Sequence, residues 1–281
     1  MTAGYKHSAI DARWFAVLDT EAKAYWAGFL LADGCVIRSP KGSSYVVLRL
    51  SSKDEERILE LRAAVGSTRP VTRHIGRYQN SLSTIRIGCR PMADDLARYG
   101  VVPRKTKGHP MPEGVAPGMM RHFLRGYFDG DGHIGRRGHK TAHAMQYQVA
   151  ICGTHGFCLW MQEQFCLATG VSGRVSVSKG CSRLDLGGNP QVSRWMEWMY
   201  ADSTVFLERK RSVAMECVRL YGSDAALSVR RSVSAAVGGE ITIEEATDTI
   251  LAALRRESMQ MQILEMSSKY DGRRGKPRIV A

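Results

Sequence analysis

The sequence predicts an α+β protein built from two similar halves, and two observations support this prediction. An apolar helical run that ends in Asp-Gly occurs twice, as WAGFLLADG at residues 26–34 and as LRGYFDGDG at residues 124–132. Each copy is followed by the same order of predicted elements, which is two strands, a helix, two strands and a helix. Repetition of this kind predicts two αββαββα halves related by a pseudo-twofold axis.

The first half begins with the first motif helix, for which Thr20 is a candidate N-cap and Gly34 a stop signal. Residues 38–44 contain Pro40, Gly42 and three serines, so they are predicted to form a turn between two strands. Alternating apolar residues then predict strands, and apolar residues among charges predict helices. The predicted elements are strands at 35–37 and 45–50, a helix at 53–65, strands at 70–75 and 82–87, and a helix at 91–99.

The second half follows a linker at 100–118 that is rich in Pro and Gly. Its predicted elements are the second motif helix at 117–129, strands at 132–134 and 145–151, a helix at 155–169, strands at 174–177 and 183–186, and a helix at 190–200. The predicted units are therefore residues 1–110, 111–221 and 222–281. In the last unit, residues 243–266 are predicted to be helical and are followed by a basic tail with Lys269, Arg273, Arg274, Lys276 and Arg278.

Small residues recur every fourth position in both motif helices, and therefore lie on one face of each. The predicted interface residues are Ala24, Gly28 and Gly126. Glycine inside a helix costs about 1 kcal/mol relative to alanine, so it usually has a packing reason. Two helices packed along these faces would bring Asp33 and Asp131 together. Adjacent carboxylates repel unless a cation lies between them, and hard divalent ions prefer oxygen ligands.

The composition indicates a globular protein with a polyanionic partner. Forty Lys and Arg residues against 27 Asp and Glu give a formal charge of +13, which favours nucleic acid over other partners. The seven cysteines include no C-x2-C pair, which argues against a structural zinc site or a disulfide framework and favours a reducing compartment. No stretch reaches about 18 apolar residues, so no membrane span is predicted.

The two motifs resemble the paired motifs of the LAGLIDADG homing endonucleases, and the resemblance covers roughly residues 15–215. The first copy departs from the family pattern at Leu31, where the family often has an acid, but both copies keep the acid before the final glycine. The resemblance implies two antiparallel sheets that form a DNA-binding saddle. It also implies a DNA endonuclease that makes Mg²⁺-dependent double-strand breaks in a long target, with Mn²⁺ able to substitute. The predicted catalytic residues are Asp33, Asp131, Lys105 and Lys210, and the predicted metal-binding residues are Asp33, Asp131, Ala32 and Gly130.

Polar side chains on the predicted strands supply a candidate reading surface. They alternate with apolar residues, so that one face would rest on helices and the other would carry Arg, Gln and Ser, with few acids. Arginine and glutamine recognise guanine and adenine edges in the major groove. The predicted DNA-binding residues are Arg49, Ser51, Arg86, Gln146, Gln148, Arg174, Ser176, Ser178 and Arg183.

We expect a monomeric, cytoplasmic, freestanding enzyme that a bacterium or phage encodes, with double-stranded DNA as its partner. The start at Met1 and the absence of a terminal His-Asn disfavour an intein-embedded form. The alternative is an intron RNA maturase or a non-cleaving DNA-binding protein of the same fold. Family members of that kind often lose one motif acid, so the presence of both acids favours the enzyme. The doubled motif also argues against a basic structural protein.

Overall fold

The computed structural model describes residues 10–76, 81–105, 108, 110–138, 145–178, 181–222, 242, 244–245 and 247–248. Within these residues the protein has seven α-helices and two four-stranded antiparallel sheets. The predicted α+β class and the αββαββα order of both halves are confirmed. None of the helices in these ranges is both long and apolar enough to cross a membrane.

The first half follows the predicted order closely. Thr20 is the N-cap of α1, since its side chain accepts a hydrogen bond from the Lys23 backbone, and Asp33 is the C-cap. The elements are α1 (Glu21–Ala32), β1 (Gly34–Arg38), β2 (Ser44–Ser51), α2 (Glu55–Ala64), β3 (Thr72–Ile75), β4 (Ser81–Gly88) and α3 (Arg90–Ala97).

The second half differs from the prediction in several places. The motif helix continues through Asp131, the first strand continues to Gly138, the last strand begins at Cys181, and a further helix follows the predicted elements. That last helix buries Ala214, Cys217 and Leu220 on one face, although its sequence is highly charged. The elements are α4 (Pro117–Asp131), β5 (Gly132–Gly138), β6 (Met145–Gly153), α5 (His155–Thr169), β7 (Arg174–Ser178), β8 (Cys181–Gly187), α6 (Asn189–Tyr200) and α7 (Glu208–Tyr221).

The two sheets have the same strand order, β1-β2-β4-β3 and β5-β6-β8-β7. In both sheets the central strands bury alternate apolar residues, among them Leu48, Ile85, Val149 and Leu184. The intervening residues face outward on the opposite side, which we call the open face. Val177 is an exception to this alternation, since it is 75% exposed and lies near the end of the edge strand β7.

Helices α1 and α4 pack with their backbones in contact at two glycines. A Cβ atom at Gly28 would overlap the carbonyl oxygen of Phe123, and one at Gly126 would overlap that of Tyr25. Ala24 is fully buried on α1, one turn before Gly28. This close approach sets how near the two helix ends lie. The predicted helix at 243–266 and the basic tail lie outside the described residues, apart from four helical residues at 244, 245, 247 and 248.

Candidate active site

The two motif acids lie side by side where α1 and α4 end. Asp33 is the C-cap of α1, and its backbone N–H donates to the Phe29 carbonyl (2.9 Å), while Asp131 is the last residue of α4. A Cβ atom at Gly130 would lie 3.3 Å from the Asp33 carboxylate and would overlap the Ala32 side chain. Glycine at this position therefore lets the end of one helix come close to the acid of the other.

Two ionised carboxylates at the ends of α1 and α4 are electrostatically unfavourable unless a positive charge lies nearby. Burial of its carboxyl, and then the negative charge on Asp131, raise the pKa of Asp33 to about 6. Burial likewise raises the pKa of Asp131. Both residues are open to solvent on one side, and the ends of α1 and α4 restrict hydration on the other. Acids at a helix C-terminus also oppose the helix dipole, so positive charge should stabilise them.

Two lysines supply such charge at equivalent places. The Lys105 ammonium contacts the last carbonyl oxygens of α1, at Leu30 (3.3 Å), Leu31 and Ala32. The Lys210 ammonium contacts the carbonyl oxygens of Phe128 (2.7 Å), Asp129 (2.8 Å), Gly130 (3.3 Å) and Gly132 (2.5 Å). The final carbonyls of a helix have no partner within the helix and carry partial negative charge, so each ammonium satisfies several of them.

Both lysines also interact electrostatically with the two motif acids, and the lysines and the acids change each other's pKa. Burial lowers the pKa of each lysine to about 8, and the charges of Asp33 and Asp131 partly oppose this shift. The two ammonium groups in turn oppose the increase in the pKa of the acids. At pH 7 the site therefore combines two acids with two cations, all at the ends of the packed helices.

The donor atoms present here suit a hard divalent cation with few protein ligands. No group of three or more His, Cys, Asp or Glu side chains in the described ranges could hold a metal. Two carboxylates that open to solvent match the sites in which Mg²⁺ keeps several waters and binds substrate phosphate. The carbonyl oxygens of Ala32 and Gly130, also predicted to bind metal, each accept a hydrogen bond from a lysine. Their role as metal ligands stays a prediction.

A buried carboxylate, Asp129, lies directly beneath the site. Asp129 is 1% exposed and accepts hydrogen bonds from the Tyr25 hydroxyl (2.9 Å), the Tyr200 hydroxyl (2.5 Å) and the Leu207 backbone (2.7 Å). These bonds connect α4 with α1, with α6 and with the residue preceding α7. Since Lys210 lies in the first turn of α7, the Asp129 network fixes where that ammonium lies.

A second buried network crosses between the two halves. Arg125 is fully buried and donates to the Met199 carbonyl (2.6 Å), the Val205 carbonyl (3.0 Å) and the Glu21 carboxylate (2.6 Å). Glu21 also accepts from the backbone of Thr204 (2.7 Å). Burial of a charge is costly unless it is paired, so this network holds α1, α4 and residues 199–205 in one arrangement. The sequence signal for this network is a charged residue, Arg125, within the otherwise apolar motif segment LRGYF.

The predicted DNA-binding residues are distributed over the open faces of the two sheets. On the first sheet, Arg86 stacks on Tyr45 at 3.8 Å, and the Arg49 Nε donates to the Thr84 hydroxyl (3.3 Å). On the second sheet, Asp185 pairs with Arg183 (2.7 Å). Arg49, Ser51, Arg86, Gln146, Arg174 and Arg183 are exposed, Gln148 and Ser176 are half-buried, and Ser178 ends β7.

Comparison with solved structures finds similar folds among DNA-bound endonucleases. The chain is similar to I-SmaMI bound to an uncleaved DNA target with calcium ions (12% identity, TM-score 0.49, 82% of this chain and 96% of that chain). It is also similar to the LAGLIDADG homing endonuclease I-LtrWI bound to target DNA (10%, 0.48, 80% and 98%) and to the LAGLIDADG meganuclease I-AabMI bound to uncleaved DNA (11%, 0.45, 74% and 96%).

No protein-family model matches the sequence, and no curated protein matches it. With identities of 10–12% and TM-scores below 0.5, the structural similarities do not carry a functional assignment.

Proposed function

We propose that this protein is a single-chain, site-specific DNA endonuclease of the LAGLIDADG type. The observation that carries the proposal is the pair of acids, Asp33 and Asp131, at the ends of the packed helices α1 and α4. A lysine lies at each of these helix ends. Asp33 and Asp131 would each serve one DNA strand, so that the pair makes a double-strand break. A monomer would suffice, because both halves are present in one chain.

The chemistry follows from the charges already described. A divalent cation, Mg²⁺ with Mn²⁺ as a substitute, would supply an activated water and stabilise the leaving oxygen of the phosphodiester. Asp33 and Asp131 would bind that cation, and its charge would favour the ionised form of both acids. Lys105 and Lys210 would remain charged at pH 7 and would stabilise the negative charge that develops at the phosphate.

The open faces of the two sheets would hold the DNA as a saddle. A net charge of +13 supports binding to phosphates, and exposed arginines and glutamines on strands can reach base edges. Because the two open faces differ in sequence, we expect a long target that is not a perfect palindrome. A cytoplasmic protein that a bacterium or phage encodes would meet such a target.

A maturase that binds intron RNA, or a DNA-binding protein that does not cut, is the second candidate. The basic charge and the strand arginines suit those functions equally well. The two acids favour the nuclease, because a protein that only binds gains nothing from two neighbouring carboxylates beneath a phosphate backbone.

Selection of cleaved sites from a randomised DNA library, with and without Mg²⁺, tests the proposal. We expect one family of sites to be cut on both strands only when Mg²⁺ is present. With a plasmid carrying that site, Asp33→Asn and Asp131→Asn should each prevent linearisation. Asp19→Asn, which changes an acid at the opposite end of α1, is the matched control and should linearise the plasmid normally.

Thermal melts of the same variants separate catalysis from folding, since both active-site variants should melt no lower than the wild type. Full linearisation by both variants would show that the acids do not carry the chemistry. If Mg²⁺ yields no cut site while duplex or intron RNA is still bound specifically, the binding function replaces the nuclease.

A further inference from the structure

The strand registers identify equivalent positions on the two open faces. Gly34 pairs with Leu48 and Gly132 pairs with Ile151, so Leu48 and Ile151 are equivalent. These two residues pair in turn with Ile85 on β4 and with Leu184 on β8. The next residue along each of these central strands faces outward. It is Arg86 in the first half and Asp185 in the second.

At this one pair of equivalent positions, the two open faces therefore carry opposite charges. A carboxylate on a surface that binds DNA is unfavourable for phosphate contacts, so it needs another reason to be there. Three of its neighbours are cationic or polar: Arg174 is its cross-strand partner on β7, Ser176 lies 3.5 Å away, and Arg183 forms an ion pair with it.

The geometry of the ion pair leaves the outer end of the Arg183 guanidinium open. The Arg183 Nε lies 2.7 Å and 2.9 Å from the two carboxylate oxygens of Asp185. Within the described residues, no protein group accepts a hydrogen bond from the two Nη atoms. The Arg183 side chain remains 54% exposed, while that of Asp185 is 30% exposed. The carboxylate thus holds the guanidinium at Nε, while the side chain as a whole stays largely exposed.

We propose that Asp185 is a positioning residue that orients Arg183 to read a guanine in the half-site bound by the second sheet. An arginine held at Nε can still donate from both Nη atoms to the O6 and N7 atoms of guanine. Holding the side chain in advance reduces the rotamer freedom lost on binding, which strengthens the preference for the correct base. This inference rests on the proposed function, because it requires a specific DNA target.

In the first half, the arginines of the open face are held in place without an acid. Arg49 is held at Nε by the Thr84 hydroxyl, and Arg86 is held by stacking on Tyr45. Thr84 is the position equivalent to Arg183. The guanine contacts of the two halves would therefore fall at different steps of the DNA, which makes the target asymmetric even where the sheets are equivalent.

Binding of the full-length protein to a panel of single-base variants of its selected site tests the inference. Arg183→Ala first identifies the base pair that this residue reads. At that base pair, Asp185→Ala should reduce the preference for guanine about tenfold, the loss expected from one weakened bidentate contact. Asp185→Asn keeps an acceptor for Nε and should retain most of the preference. Glu163→Gln removes an equal charge at an exposed position of helix α5 and should leave the preference unchanged.

The alternatives give different results. If Asp185 acts only through its charge, both Asp185 variants will bind every DNA in the panel more tightly by a similar factor, and the inference is wrong. It is also wrong if Arg183→Ala alters no base preference while the wild type remains selective, although the proposed function then stands. A wild-type protein with no base preference would overturn the proposed function together with the inference.

Discussion

Replacement of Gly126 by alanine should destabilise the whole protein, although alanine is the better helix former. The added Cβ would overlap the carbonyl oxygen of Tyr25 on α1. Its nearest neighbours, the Tyr25 carbonyl and the Phe29 nitrogen at 2.9 Å, are backbone atoms, so a side-chain rotation cannot relieve the overlap. Helices α1 and α4 would have to separate, and this would disturb the packing on both sides of the seam.

The expected magnitude follows from two opposing effects. Overpacking a core costs about 1–3 kcal/mol, and backbone contact places this site at the upper end. Replacing glycine by alanine within a helix returns up to about 1 kcal/mol. We therefore expect a net loss of about 2 kcal/mol in the free energy of unfolding. For a protein of this size that corresponds to a decrease of roughly 4–8 °C in Tm.

Urea denaturation and thermal melts, followed by circular dichroism, measure this loss. Gly118→Ala is the matched control, because Gly118 lies in the first turn of the same helix and a Cβ there meets no atom within 4 Å. That variant should be neutral or slightly stabilised, whereas Gly28→Ala should resemble Gly126→Ala. If Gly126→Ala is as stable as Gly118→Ala, the two motif helices do not meet through their backbones and the geometry of the acid pair is wrong.

Two further predictions concern the buried groups around the seam. Burial and the charge of Arg125 lower the pKa of His122 to about 4, so the unfolded chain takes up a proton below about pH 6.5 that the folded protein does not. Stability should therefore fall by on the order of 2 kcal/mol between about pH 6.5 and 4, and urea titrations of His122→Gln should show a flatter pH dependence in that window. Arg125→Met should cost about 3 kcal/mol in the wild type but at least 1 kcal/mol less in a Glu21→Gln background, because the pair is buried and coupled. A double-mutant cycle in urea measures this coupling, and strict additivity would contradict it.

The repeat and the element order could be predicted because their signals are local. Helix α5 spans the predicted residues, since Thr154 caps its N-terminus and Gly170, with φ of 68°, ends it. Helix α4 runs two residues further than predicted because glycine at 130 does not end it. The end of the helix is supported from outside by the Lys210 ammonium, which contacts the carbonyl oxygens of Asp129 and Gly130. A local rule cannot include a partner so distant in the chain.

The same limit explains which parts of the site were missed. The acids could be predicted because each ends a recognisable motif, and the lysines because the family resemblance implies a basic residue after the last predicted helix of each half. The contacts of Asp129 could not be found, since they join residues of α1, α6 and the α6–α7 connection through a buried cluster. Nor could α7 be assigned, because its apolar face is narrow among many charges and its burial depends on packing against α6 and β5.

The two halves are alike at the acids and lysines, where the proposed chemistry requires a pair. They differ on the open faces, where DNA recognition does not require equivalent residues. Asp33 and Asp131 end helices that meet through matched glycines, and each helix end has its own lysine, as two equivalent strand cleavages would require. Beneath this symmetric layer the equivalence ends, because Leu31 stands where the second half has the buried Asp129. On the open faces, Arg86 and Asp185 likewise differ in charge at equivalent positions. A homodimer could not vary one half alone, whereas a single chain can, so the proposed endonuclease could keep a symmetric pair of acids and still select an asymmetric DNA sequence.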